Sequence, residues 1–172
     1  NTAMGAAGMA AVSNGRFMLG LGVGHAPTVE SRDGIPFKQP MTRMRETIQI
    51  IKSLLSGEEV NFSGKLFNVT GASMGAATPK QKVPIYIAAL GPQMLEMVGE
   101  LCDGVLMNWT AVDYLQEAIT HIKRGADKAG RDMSEIDIAG YVRVAVGGSS
   151  ALCGVRERNC GESPQILDLR LH

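Results

Sequence analysis

The residues best suited to chemistry in this 172-residue chain fall in three short stretches. Gly20-Leu21-Gly22-Val23-Gly24-His25 places glycine at alternate positions of an apolar run and ends on a histidine. Within a strand, a period of two puts Gly20, Gly22 and Gly24 on one face. A face without side chains lets a flat ligand approach the backbone; the same spacing also serves close packing against a neighbour. The run is not a dinucleotide fingerprint. G-x-G-x-x-G needs a glycine where His25 or Pro27 stands, and the loop residues that follow predict no helix to receive a pyrophosphate. Ala88-Ala89-Leu90-Gly91-Pro92-Gln93 reads as a strand end turning into a helix, whose unpaired N–H groups form either a phosphate seat or a generic βα turn. Asn108-Trp109 ends the next strand, and the single tryptophan either stacks on a ring or packs at a rim.

His25, at the glycine-bared strand end, is the candidate catalytic residue. His121 is predicted to be solvated in mid-helix, and His172 is terminal. No His/Cys/carboxylate cluster has metal-ligand spacing, and neither G-x-S-x-G nor a Walker A pattern occurs.

Those stretches need elements to position them. A small-residue helix is predicted over 2–13, stopped by Asn14-Gly15, and a strand over 17–23. Loop signals follow at Pro27, Asp33-Gly34, Pro36 and Pro40. Met44, Ile48, Ile51 and Leu55 mark one face of a helix over 41–55, ended by Gly57. Residues 60–62 and 66–69 read as a hairpin around Ser63-Gly64, and 70–79 as a flexible stretch. Apolar runs at 84–89 and 104–108 predict strands buried on both faces. Helices follow them, one opened by Gly91-Pro92 and running to Leu101, the other over 114–129 and capped by Gly130. A last strand is predicted over 136–146. Alternating strands and helices imply right-handed βαβ units: an α/β fold with about four parallel strands and one inserted hairpin.

Composition narrows the function classes. Lys+Arg and Asp+Glu are 17 each, so the basic footprint of a nucleic-acid binder is absent. No apolar run has the length of a membrane span. Three cysteines form no complete disulfide framework, which fits a reducing, cytoplasmic setting. The chain opens inside a helix, which is expected of lost upstream sequence or a trimmed terminus. Residues 1–150 form the expected domain. Residues 151–172 read as an aperiodic tail, either a surface extension or the product of a frame change, and Cys153 and Cys160 match no common zinc spacing.

Ser13-Asn14-Gly15-Arg16-Phe17 leading into Leu19 to His25 resembles the bacterial-luciferase-like oxidoreductases, in particular their deazaflavin-dependent, methylenetetrahydromethanopterin reductase-like branch. The helix 43–55 with Ser56-Gly57-Glu58, the hairpin 62–67, the segment Val83 to Pro92 and the segment Cys102 to Trp109 extend the resemblance to about residues 1–147.

The resemblance implies an incomplete (β/α)8 TIM barrel that binds coenzyme F420, or alternatively FMN, at its C-terminal mouth. Gly22, Val23, Gly24 and His25 would lie along the cofactor. Ala89, Leu90 and Gly91, with Pro92, Gln93 and Met94 at the helix start, would hold its phosphate, and Ala88 and Trp109 would complete the cofactor contacts. His25 stands where some deazaflavin enzymes carry an acidic residue, and a neutral histidine donates a proton without being a fixed anion. The implied activity is hydride transfer between F420 and a small organic substrate. The alternatives are FMN-dependent monooxygenation, or an inactive truncated relic that acts only as an associating α/β module. A four-strand arc has two open edges, so a homo-oligomer is expected, with no nucleic-acid or membrane partner and no metal.

Overall fold

The computed structural model describes residues 1–108, 110 and 112–141. In chain order the elements are α1 (Thr2–Val12), β1 (Leu19–Leu21), α2 (Ala26–Arg32), α3 (Pro40–Ser56), β2 (Val60–Ser63), β3 (Asn68–Ala72), β4 (Ile85–Ala88), α4 (Pro92–Leu101), β5 (Gly104–Asn108), α5 (Val112–Ala129) and β6 (Asp137–Tyr141). β1, β4, β5 and β6 form one all-parallel sheet in that order, and β2 and β3 form a separate antiparallel hairpin. The expected four strands and inserted hairpin are therefore present. Residues 142–146 of the last predicted strand, the boundary at 150 and the tail 151–172 lie outside the described residues.

Helix ends follow the glycine signals. Gly57 and Gly130 adopt left-handed φ of 87° and 64°, which a side chain resists. The N–H after each glycine closes a helix-ending bond, Glu58 N to Ser53 O at 3.2 Å and Arg131 N to Ala126 O at 2.9 Å. The Arg131 side chain then satisfies the orphan carbonyls at the end of α4, donating to Gly99 O at 2.9 Å and Cys102 O at 2.8 Å.

One face of the sheet is covered by helices. Ile87, Val105 and Met107 point to that side and pack with Ile48, Leu95, Val98 and Ile122, all of them buried. Ala3, Ala6, Ala7 and Ala10 let α1 lie close against Leu19, Ile51 and Ile85. α4 and α5 cross at a pair of glycines: a Cβ at Gly99 would strike Ile122 O, and one at Gly125 would strike Glu96 O.

The sequence overstates the burial of the opposite face. Ala88 and Asn108 are exposed there and Leu106 is 46% exposed, so the strands at 85–88 and 104–108 are not buried on both sides. Their apolar runs report a parallel sheet, while the open face lacks a covering layer among the described residues. A second correction concerns residues 26–32, expected to be loop. They form α2, with Pro27 in its first turn, where proline's fixed φ suits a helix. None of its residues is buried, so no apolar period announced it.

Candidate active site at the C-terminal mouth of the sheet

Parallel α/β sheets carry their chemistry where the strands end. Here Leu21 pairs with Ile87, and Ala88 pairs with Leu106. A Cβ added at Gly22 would sit 3.7 Å from Ala88 Cβ, and one at Gly20 would meet nothing within 4 Å. Beyond the strand ends, residues 88–94 with Val23 and Met41 line an open groove of about 570 Å³. Gly91 caps α4 in an extended conformation (φ −80°, ψ 150°), and Pro92 occupies the first turn. No side chain caps this helix, and its first turn holds no acidic residue. The N–H groups of Gln93 and Met94 thus have no partner within the helix and lie at the positive end of its dipole.

The groove gathers most of the residues singled out in the sequence: Val23, Ala88, Ala89, Leu90, Gly91, Pro92, Gln93 and Met94 all line it. Gly22 lies beside it and also lines a second chamber of about 180 Å³ with Val29, Phe37, Pro40 and Arg43. Gly24 departs from expectation. The strand stops at Leu21, Gly24 takes φ +72°, and a Cβ there would stand 2.7 Å from Val29 Cγ2. Gly24 therefore does not share the face of Gly20 and Gly22; it turns the chain into α2. His25 is the exposed N-cap residue of α2, its side chain makes no capping bond, and it does not line the groove. Trp109 lies outside the described residues.

Sequence reading missed two contributors. Met41 lines the groove from the start of α3, where only its place in the helix was legible. Tyr114 reaches from α5 and donates its hydroxyl to Leu90 O at 2.7 Å. Nothing in the local pattern connects residues that far apart.

Glu46 holds the hairpin to α3. Its buried carboxylate accepts from Lys65 N at 2.7 Å, Leu66 N at 3.0 Å and Phe67 N at 2.9 Å. Burial opposes its ionisation, but the three N–H groups and nearby Arg43 outweigh it and hold the carboxyl below the usual carboxylate range. Asp103 does similar work at the opposite end of the sheet: its buried carboxylate accepts from Ile85 N at 2.9 Å and pairs with Lys82. His121 is not solvated. It sits in the α4–α5 seam with Glu96 at 3.9 Å and Glu117 at 3.7 Å, and its Nδ1 is buried without a hydrogen-bond partner. Burial pushes the Cys102 thiol up to about 12, so it is an inert core residue.

A parallel sheet with an open, glycine-flanked groove at its C-terminal edge defines an α/β protein. The profile of the luciferase-like monooxygenase family matches residues 1–153, and the chain belongs to that family. It is 43% identical over 130 residues to the 5,10-methylenetetrahydromethanopterin reductase of Methanolobus tindarius, a match covering 76% of this chain and 39% of that protein. It is 38% identical to the F420-dependent glucose-6-phosphate dehydrogenase of Gordonia bronchialis, covering 76% of this chain and 40% of that one. The solved coenzyme F420-dependent tetrahydromethanopterin reductase of Methanopyrus kandleri superposes with a TM-score of 0.68 at 29% identity, covering 82% of this chain and 46% of the other. The chain thus spans about 40% of the length of the curated relatives it matches, and its fold is an incomplete barrel of the luciferase-like type. Among the described residues no helix is long and apolar enough to cross a membrane.

Proposed function

We propose that this chain forms the cofactor-phosphate side of an F420-dependent oxidoreductase that transfers a hydride between the deazaflavin and a small organic substrate. The observation that carries this reading is the uncapped, acid-free N-terminus of α4 opening onto a groove beside side-chain-free Gly22. The residues fit such a cofactor. Gly91 has open space where a Cβ would be, and the groove wall is small and apolar at Ala88 and Ala89. When bound, the deazaflavin supplies the two-electron chemistry. Gly22, Val23 and Ala88 would lie along the cofactor, and the backbone N–H groups of Gly91, Gln93 and Met94, with Ala89, Leu90 and Pro92 shaping the turn, would hold its phosphate. Gly24 would shape the turn that brings His25 to the mouth. His25, exposed at the N-cap of α2, would hold the proton exchanged with the substrate. FMN in the same groove, supporting monooxygenation, is the nearest alternative cofactor.

Spectral titration with F420 and with FMN tests the reading, using wild type, Gly91→Asp and Gly91→Asn. Asp is a good N-cap in the conformation Gly91 adopts, so it should raise helix stability by a few tenths of a kcal/mol or leave it unchanged. Its charge should nonetheless weaken F420 binding about tenfold or more, by opposing the phosphate on the helix dipole. Asn caps without the charge and should weaken binding less. Saturable binding of FMN but not F420 would replace the cofactor. No perturbation of either at high micromolar concentration would favour a second reading, an associating α/β module without cofactor. The exposed Leu106 (46%) and Tyr141 (49%) on the sheet speak for that module.

A further inference from the structure

We propose that Tyr114 is a positioning residue for the phosphate end of the cofactor, acting through the carbonyl of Leu90. The inference rests on the F420 reading above. Tyr114 is half-buried with its ring packed on the core, so its hydroxyl is presented from a fixed base. That hydroxyl donates to Leu90 O at 2.7 Å, joining α5 to a turn 24 residues earlier. The Leu90 side chain cannot serve as the anchor, since it is 47% exposed.

The Leu90 carbonyl belongs to the peptide plane that also carries the Gly91 N–H. In a trans peptide these two groups point in opposite directions, and no peptide bond described here is cis. Fixing the oxygen toward α5 therefore fixes the Gly91 N–H in the opposite direction, away from α5. Gly91 needs such a constraint. It has no Cβ, and one built there would meet nothing within 4 Å, so no packed neighbour holds it; Pro92 keeps Gly91 extended and Leu95 N donates to Gly91 O at 3.0 Å, but neither fixes the Leu90–Gly91 peptide plane before it. The Tyr114 hydroxyl supplies the missing restraint, and the Gly91 N–H ahead of α4 keeps one orientation before any anion arrives. This is preorganisation: the ordering cost is met in folding and not charged against binding.

The test compares wild type with Tyr114→Phe, which keeps the ring and removes only the hydroxyl. Affinity is measured for F420 and for its phosphate-free core, 8-hydroxy-5-deazariboflavin. F420 should bind about 3- to 10-fold more weakly to the variant, the range one hydrogen bond spans. The phosphate-free compound should bind both proteins equally, and the thermal midpoint should stay close to wild type. In the ligand-free variant, amide hydrogen exchange should quicken at Gly91. Equal weakening for both compounds, or for neither, overturns the positioning role while leaving the F420 reading intact. Unchanged exchange at that amide overturns it as well. A wild-type protein that binds neither compound overturns both.

Discussion

The two faces of the parallel sheet are made from the same strands and meet opposite surroundings. On the helix side, Ile87, Val105 and Met107 are fully enclosed by side chains of α3, α4 and α5. On the other side, Gly20, Gly22, Ala88, Leu106 and Asn108 alternate with them along the strands and are exposed. The closed side uses its glycines to bring backbones together, as at Gly99 and Gly125. On the open side Gly20 leaves space, whereas a Cβ at Gly104 would strike the Tyr86 ring. The same residue type thus serves close packing at one position and access at another, and only the neighbours distinguish the two.

Truncating one side chain on each face breaks the comparison most directly. Ile87→Ala removes a fully buried side chain and should cost about 2–5 kcal/mol. Leu106→Ala on the open face should stay within about 0.5 kcal/mol. Denaturant melts of the two variants check this, and comparable losses would mean that the open face is covered in solution. Adding one methyl group on each side is the next test. Gly125→Ala forces a Cβ onto Glu96 O and should destabilise by about 1–3 kcal/mol, despite the roughly 1 kcal/mol that alanine gains in a helix. Gly20→Ala on the open face, where a Cβ would meet nothing within 4 Å, should stay within about 0.5 kcal/mol of wild type.

A smaller effect sharpens the picture at the hairpin. The Glu46 carboxyl is held below its usual range by three backbone donors, so the folded state binds its proton less readily than the unfolded chain. Its contribution to stability is complete above the ordinary glutamate value and is lost as pH falls through the lower, folded value. Glu46→Gln should therefore be less stable than wild type at neutral pH, with the gap closing toward acid. Thermal melts across that range measure it, and a gap that widens in acid would contradict the assignment.

Elements with local signals were legible. The stripe at Met44, Ile48 and Ile51 defined α3, and Gly57 and Gly130 marked helix ends because their left-handed conformations are short-range requirements. α2 was not legible: it has seven residues and buries none of them, so no period distinguishes it from loop. At the site, residues 88–94 were legible as a strand end meeting a helix start. Gly24 was misplaced because alternation was extended past Leu21, where the strand had already ended. His121 read as solvated because one helix cannot reveal that Glu96 of the neighbouring helix stands beside it.

The sequence by itself determined the order of elements, the parallel α/β class and the glycine-rich strand end. Each depends on periodicity or on the backbone freedom of single residues, and those act over a few positions. Only the tertiary structure decided which sheet face is closed, how Met41 joins the groove, that Glu46 ties down the hairpin and that Tyr114 restrains the Leu90 turn. These are contacts between segments distant in sequence, selected by complementary packing and by the need to pair buried polar groups, and neither constraint leaves a local pattern.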